Sequence, residues 1–132
     1  MSEIIDEQQG GYFRVEIYAD FVRKYPKNEE TALKMADIVK AQNYLAERVK
    51  GCIPAELKDG FIEMPIPPGK WAKEWEKPYY NKVIQPEVQK VGVEIKKHGY
   101  RISDIGWANT FWDADKNQAW IIDYSDVKKI DP

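Results

Sequence analysis

The hydrophobic and polar positions of the chain follow two different periods, and together they predict an α+β fold. Over residues 12–18 the side chains alternate, with Phe13, Val15 and Ile17 on one face and charged residues on the other. A period of two is typical of a half-buried β-strand. From about residue 30 to 50 apolar residues instead recur every three or four positions, which predicts an amphipathic helix.

The middle of the chain predicts a hairpin and then a break in regular structure. Asp59-Gly60 is a strong signal for a tight turn, and residues 61–64 form a short apolar segment after it. Several prolines follow directly, and proline removes an amide hydrogen and restricts the backbone. The pattern therefore predicts a hinge over residues 65–79, in which residues 70–79 can form one or two helical turns.

The last third of the chain predicts a second helix and an apolar hairpin. A helical stripe ends at about Lys97 and begins at Tyr80 or Pro86. An apolar hairpin over residues 110–122 follows, and the polar residues 114–118 predict its turn.

Three polar side chains flank this hairpin. Asp104 precedes Asn109 by five residues, and Asp123 ends the second strand. Phosphoryl transfer requires a carboxylate that orients the attacking hydroxyl and oxygen ligands that hold Mg²⁺ beside the phosphates. If the three residues serve that chemistry, their side chains should face one shared cleft. The alternative is a surface hairpin in which Asp and Asn only form turns.

In these residues and in the order of its elements the chain resembles the protein-kinase-like family, which includes protein kinases and aminoglycoside phosphotransferases. The resemblance extends over about residues 12–126 and is specific only in the last segment. It implies a minimal α+β kinase-like domain with a small antiparallel sheet, two main helices and a C-terminal catalytic-loop-like hairpin. Residues 1–132 would form one domain, with an N-lobe-like part (1–64), a hinge (65–79) and a C-lobe-like part (80–126).

The resemblance also assigns roles to the polar residues. Asp104 would be the catalytic base, and Asn109 and Asp123 would bind Mg²⁺. The sequence Asp-Tyr-Ser beginning at Asp123 replaces the usual Asp-Phe-Gly of the family.

Two phosphate anchors of the family have no counterpart in this prediction. The chain lacks a Gly-x-Gly-x-x-Gly loop. The family's third strand carries a lysine that pairs with the nucleotide phosphates, and the strand matched to it, residues 12–18, offers Glu16 or Tyr18 instead. Residues 24–28 are predicted to be a loop.

Other positions depart from the family pattern as well. The helix offers only Gln42 or Glu47 in place of the usual glutamate partner of that lysine. Lys70 or Lys73 could substitute as the phosphate anchor. Because nine residues follow Asp123, we expect neither an activation segment nor a substrate-binding helical lobe.

Three functions are compatible with this pattern. The first, which we favour, is a degenerate kinase, or pseudokinase, that acts by binding or inhibiting another protein and would suit a phage or mobile element. The second is an active phosphotransferase that uses Asp104, Asn109 and Asp123 and requires Mg²⁺ and ATP. The third is an unrelated α+β interaction scaffold. Because the phosphate anchors are missing, we expect weak ATP binding or none.

A protein partner is predicted from two indoles in the hinge. Trp71 and Trp75 are four residues apart, which places them on one face of a helical turn. Charged residues surround both, and Trp is enriched at the energetic centres of protein interfaces.

Composition sets the remaining expectations. The net charge of −2 gives no general attraction to nucleic acid or membrane, and 43% hydrophobic residues are enough for a core. The acidic N-terminus does not resemble a signal peptide. Because Cys52 is alone, no disulfide framework is possible, and we expect a cytoplasmic protein without a structural zinc site.

Overall fold

An antiparallel sheet of five strands and one long helix occupy the first half of the chain. The computed structural model describes residues 4, 6–9, 11–103, 105–107 and 109–130. The elements are β1 (Asp6–Gln9), β2 (Phe13–Ile17), β3 (Phe21–Pro26), α1 (Glu29–Ala46), β4 (Glu56–Leu57) and β5 (Ile62–Pro65). The sheet has the order β1-β2-β3-β5-β4, and the helix connects β3 to β4.

Strand β3 corrects the prediction of a loop over residues 24–28. It pairs with both β2 and β5 and is therefore the central strand of the sheet. Val22 and Lys24 are buried, whereas the residues between and beside them are half-buried. Because the second buried position is a lysine and not an apolar residue, the alternation cannot be recognised from apolar residues alone. The strand matched to the third family strand, residues 12–18, is in fact the second strand of the sheet.

Helix α1 begins as predicted and ends about four residues earlier. The Asn28 side chain accepts a hydrogen bond of 2.8 Å from the Thr31 amide, which caps the helix. At the other end Gly51 has a φ of +104°, and a Cβ there would lie 2.8 Å from the Ala119 carbonyl oxygen. The helix therefore ends before a glycine that lets the chain approach the second half of the molecule closely.

The second half contains a three-stranded antiparallel sheet, a separate strand pair and a bent helix. The elements are β6 (Lys70–Trp71), α2 (Lys77–Tyr79), α3 (Gln85–Lys97), β7 (Tyr100–Arg101), β8 (Thr110–Asp113), β9 (Gln118–Ile121) and β10 (Lys128–Lys129). The sheet has the order β6-β8-β9. The predicted hairpin is confirmed as β8 and β9, which pair from Thr110↔Ile121 to Asp113↔Gln118.

A π-helical turn over Tyr80–Ile84 joins α2 to α3 and explains how a proline fits inside this helical segment. The Gln85 amide donates to the Tyr80 carbonyl oxygen, five residues back. Pro86 follows directly, has no amide hydrogen and would clash with a carbonyl four residues earlier in a regular helix. The wider turn before Pro86 relieves that conflict.

The apolar side chains of both halves form one cluster. Its fully buried members include Val22, Leu45 and Met64 from the first half and Ile95 and Ile121 from the second. The sheet, α1, α3 and the C-terminal hairpin therefore hold one another in place. Within the described residues, the helices are too short or too polar to cross a membrane.

Candidate functional site

The backbone of Ile122 lies between the chain segments that carry three candidate residues. Its amide donates to the carbonyl oxygen of Asn109 at 3.1 Å. Its carbonyl oxygen accepts a hydrogen bond from Nζ of Lys24, and Asp123 is the next residue. Three separate segments of the chain therefore bring Lys24, Asn109 and Asp123 together.

Lys24 is the residue that sequence reasoning missed. It is 4% exposed, and its ammonium group reaches a carbonyl 98 residues later in the chain. Burial lowers the pKa of Lys24, and the nearby charge of Asp123 opposes that shift. Among the residues that the structure describes, Lys24 makes no ion pair within 4 Å, so no carboxylate of α1 holds it. The signal that could have identified it is a lysine on the strand directly before α1.

Asp123 is held by a turn with Ser125. One carboxylate oxygen, Oδ1, accepts hydrogen bonds from the Ser125 amide at 2.9 Å and from the Ser125 hydroxyl at 2.6 Å. The side chain is half-buried. The turn limits the rotation of the carboxylate and keeps it at the end of the hairpin.

Asn109 ends a short loop that leads into β8. Its amide donates to the Gly106 carbonyl oxygen at 3.1 Å, and its side chain is half-buried. Trp107 lies in the same loop, with Nζ of Lys77 4.2 Å from the centre of its ring. Asp104, the predicted base, lies outside the described residues. The Ile122 amide brings the backbone of Asn109 beside the segment of Asp123, and the convergence of the three side chains on one cleft stays a prediction.

The two lysines predicted as phosphate anchors lie in the hinge. Lys70 is exposed on β6, and Lys73 belongs to the 3-10 turn Ala72–Glu74. Nζ of Lys73 lies 5.3 Å from the centre of the Trp71 ring. The role of Lys70 and Lys73 in phosphate binding stays a prediction. The lysine that donates a hydrogen bond to the Ile122 carbonyl, next to Asp123, is Lys24.

The predicted helical arrangement of Trp71 and Trp75 is wrong. Trp71 is the last residue of β6 and is 8% exposed, and it packs edge-on against Phe111 at 4.6 Å between ring centres. Trp75 follows the 3-10 turn, is half-buried and stacks on Tyr79. The sequence pattern missed that Lys70 and Trp71 pair with β8. Partner binding by the two indoles stays a prediction, and Trp75 is the one that solvent reaches more freely.

The two indoles should differ in how much they stabilise the fold. Trp71→Ala should lower the free energy of unfolding by about 3–5 kcal/mol, because it removes a buried ring from the core. Trp75→Ala should cost less than about 2 kcal/mol, since its half-buried ring loses less apolar area. Urea denaturation of the two variants tests this difference. Equal losses would contradict the assignment of Trp71 alone to the core.

Comparison with known proteins gives the fold but no close relative. No family model matches the chain, and no curated protein matches it. Among solved structures, the chain is similar to PK-1, the kinase of the Cydia pomonella granulovirus, with a TM-score of 0.60 and 16% identity over 97% of this chain. It is also similar to WbdD, solved in a co-crystal with a kinase inhibitor, with a TM-score of 0.58 and 16% identity over 96% of this chain.

These likenesses extend over almost all of the present chain but only part of the other two. The aligned region is 55% of PK-1 and 33% of WbdD. At 16% identity the comparison establishes the architecture and not the activity. The five-stranded sheet, the connecting helix and the C-terminal hairpin therefore form a protein-kinase-like fold.

Proposed function

We propose that this protein binds a Mg²⁺–nucleotide complex in a kinase-like site and that Lys24 is its phosphate anchor. The observation that supports this proposal best is the buried ammonium group of Lys24 beside the segment that presents Asp123. The pseudokinase hypothesis relied on the absence of two phosphate anchors, such a lysine and a glycine loop. Lys24 on the third strand is a candidate for the first of them.

The energetics of Lys24 point to a ligand. An ammonium group that is taken out of water loses hydration, and a single carbonyl acceptor replaces only part of it. A phosphate oxygen near Lys24 would supply a full negative charge. Such a ligand would stabilise the charged form of Lys24, which burial alone disfavours.

The donor atoms at the site fit Mg²⁺. Asp123 offers a carboxylate and Asn109 an amide oxygen, and Mg²⁺ is usually held by one or two carboxylates, with water and phosphate completing its coordination. Bound there, the ion would neutralise charge on the transferred phosphate. Asp104 remains the proposed base for a hydroxyl-bearing substrate, which makes the proposed reaction an ATP-dependent phosphotransfer.

A second candidate is a pseudokinase that acts through protein binding or inhibition. It is favoured by the surroundings of Lys24, where a backbone carbonyl takes the place of a carboxylate on α1, and by the missing glycine motif. Trp75 would then be a candidate contact for the partner. The likeness to a granulovirus kinase is in keeping with the viral or mobile-element source proposed for this alternative.

Calorimetry with Mg-ATP separates the two candidates. We expect the wild-type protein to bind, and Asp123→Asn to weaken binding by about 100-fold, since outer-shell changes alone cost about 10–100-fold at metal sites. Asn can still accept both bonds from Ser125, so the turn should survive. Asp115→Asn, an exposed carboxylate in the hairpin turn, is the control and should bind normally. Wild-type protein that binds no nucleotide at millimolar concentration would overturn the proposal and favour the pseudokinase.

A further inference from the structure

Tyr124, the residue after Asp123, makes a buried hydrogen bond to a distant part of the chain. Its side chain is 0% exposed. Its hydroxyl oxygen accepts a hydrogen bond of 3.1 Å from the amide of Ile53, in the loop that follows α1. The Cys52 thiol lies beside the hydroxyl, and burial raises the pKa of that thiol to about 11, so the thiol stays uncharged.

The same loop also holds the residue before the candidate site. The amide of Ile121 donates to the carbonyl oxygen of Gly51 at 2.8 Å. Residues 51–53 therefore bond the segment on both sides of Ile122 and Asp123, once through Ile121 and once through Tyr124.

Helix α1 fixes this loop in turn. Nε2 of Gln42, a buried side chain of α1, donates to the carbonyl oxygen of Ile53 at 2.8 Å. The backbone of Ile53 thus accepts a hydrogen bond from the helix at its carbonyl oxygen and donates one to Tyr124 from its amide. A continuous set of buried hydrogen bonds runs from α1 to the residue beside Asp123.

We propose that the Tyr124 hydroxyl is a positioning group that couples the Asp123 carboxylate to helix α1. The phenyl ring alone could fill the buried space, but apolar contact does not fix direction, whereas a hydrogen bond does. The role in ligand binding rests on the proposed function, in which Asp123 binds a divalent cation with its nucleotide. Because coupling between sites is reciprocal, a cation bound at Asp123 should also protect the loop at Ile53.

Tyr124→Phe tests the proposal because it removes one oxygen atom and keeps the ring. The matched control is Asn43→Ala. Asn43 bonds the other end of the same loop, with its amide group donating to the Ala55 carbonyl at 3.0 Å and its carbonyl accepting from the Ala55 amide at 2.8 Å. Both variants lose buried or partly buried hydrogen bonds of this loop, but only Tyr124→Phe removes a hydrogen bond to the Asp123 segment.

Amide hydrogen exchange of the ligand-free proteins is the first measurement, and it does not depend on nucleotide binding. In Tyr124→Phe, exchange over residues 121–127 and at Ile53 should rise by about ten-fold or more, as expected for loss of one buried hydrogen bond. In Asn43→Ala, exchange should rise near Ala55 and stay unchanged over 121–127. Unchanged exchange over 121–127 in Tyr124→Phe, or an equal rise there in both variants, would overturn the proposal.

Binding of Mn²⁺-ATP, followed by calorimetry, is the second measurement. We expect about a ten-fold weaker affinity for Tyr124→Phe, the factor that corresponds to about 1.4 kcal/mol, and wild-type affinity for Asn43→Ala. If Tyr124→Phe binds as tightly as wild type, the positioning role is overturned even where exchange has risen. If no protein binds nucleotide, the proposed function fails, while the exchange measurement still decides whether Tyr124 couples the segment to α1.

Discussion

Lys24→Met is expected to abolish Mg-ATP binding and, at the same time, to stabilise the ligand-free protein. Lys24 is 4% exposed, and its described contacts are one backbone carbonyl and the charge of Asp123. Met has a similar length and fills the same space without an ammonium group that must be desolvated. Replacing a buried ion pair with apolar residues of similar volume is often neutral or stabilises a protein by about 1–4 kcal/mol, and Lys24 has no carboxylate paired with it among the described residues. We expect a gain in the lower part of that range, because the Asp123 carboxylate loses a favourable neighbour and the Ile122 carbonyl loses its hydrogen-bond donor.

The pH dependence of this gain follows from the pKa of Lys24. Burial lowers that pKa below its ordinary value of 10.5, so the unfolded chain binds the proton more tightly than the folded protein. The resulting loss of wild-type stability is complete below the folded pKa and disappears as the pH rises towards 10.5. The advantage of Lys24→Met should therefore be largest below the folded pKa of Lys24 and shrink as the pH rises towards 10.5.

Thermal and urea unfolding across pH, together with calorimetry, measure both effects. Lys40→Met, which changes an exposed lysine of α1, is the control and should alter stability by less than about 0.5 kcal/mol with normal binding. If the Lys24→Met protein binds Mg-ATP normally, Lys24 is not the phosphate anchor. A variant that is less stable than wild type would mean that the ammonium group is better compensated than its contacts suggest.

Gly69→Ala is expected to destabilise the protein strongly, although the substitution adds only one methyl group. Gly69 has a φ of +99°, and a Cβ there would lie 2.1 Å from the carbonyl oxygen of Trp112. Left-handed backbone costs a residue with a Cβ about 1–2 kcal/mol. The clash is with backbone, which cannot rotate away, so β6 must move from β8. We expect a loss of more than about 3 kcal/mol, since displaced or strained backbone costs about 1–3 kcal/mol in addition.

Gly60→Ala separates the two terms of that cost. Gly60 has a φ of +87°, and a Cβ there would meet nothing within 4 Å. Its replacement should therefore cost only the backbone term, about 1–2 kcal/mol. Urea denaturation of both variants gives the comparison. If the two variants lose equal free energy of unfolding, the close approach between Gly69 and Trp112 adds no cost to the substitution.

The elements with a clean apolar period could be predicted from sequence, and those with mixed positions could not. Strand β2, α1 and the hairpin of β8 and β9 follow their patterns within a few residues. Strand β3 was hidden because Lys24 occupies a buried position. Trp71 was misplaced because spacing alone cannot reveal that two hinge residues pair with a distant strand.

The same difference between local and long-range structure explains why only part of the candidate site could be predicted. The proximity of Asn109 and Asp123 follows from a loop and a hairpin that are local in sequence. Lys24 and Tyr124 instead reach the site through contacts that span 98 and 71 residues. Such long-range contacts depend on tertiary packing, which leaves no spacing pattern along the chain.

The distance between Lys24 and Ile122 along the chain has a consequence for how the protein is made. During synthesis the strand with Lys24 leaves the ribosome long before the segment that supplies its carbonyl acceptor. Until that segment arrives, a nascent chain can bury this strand only by leaving an ammonium group without its partner, which is costly. Contacts this far apart also close slowly, because chain entropy must be lost first. Lys24 can therefore gain its carbonyl acceptor only after nearly the whole chain has been made.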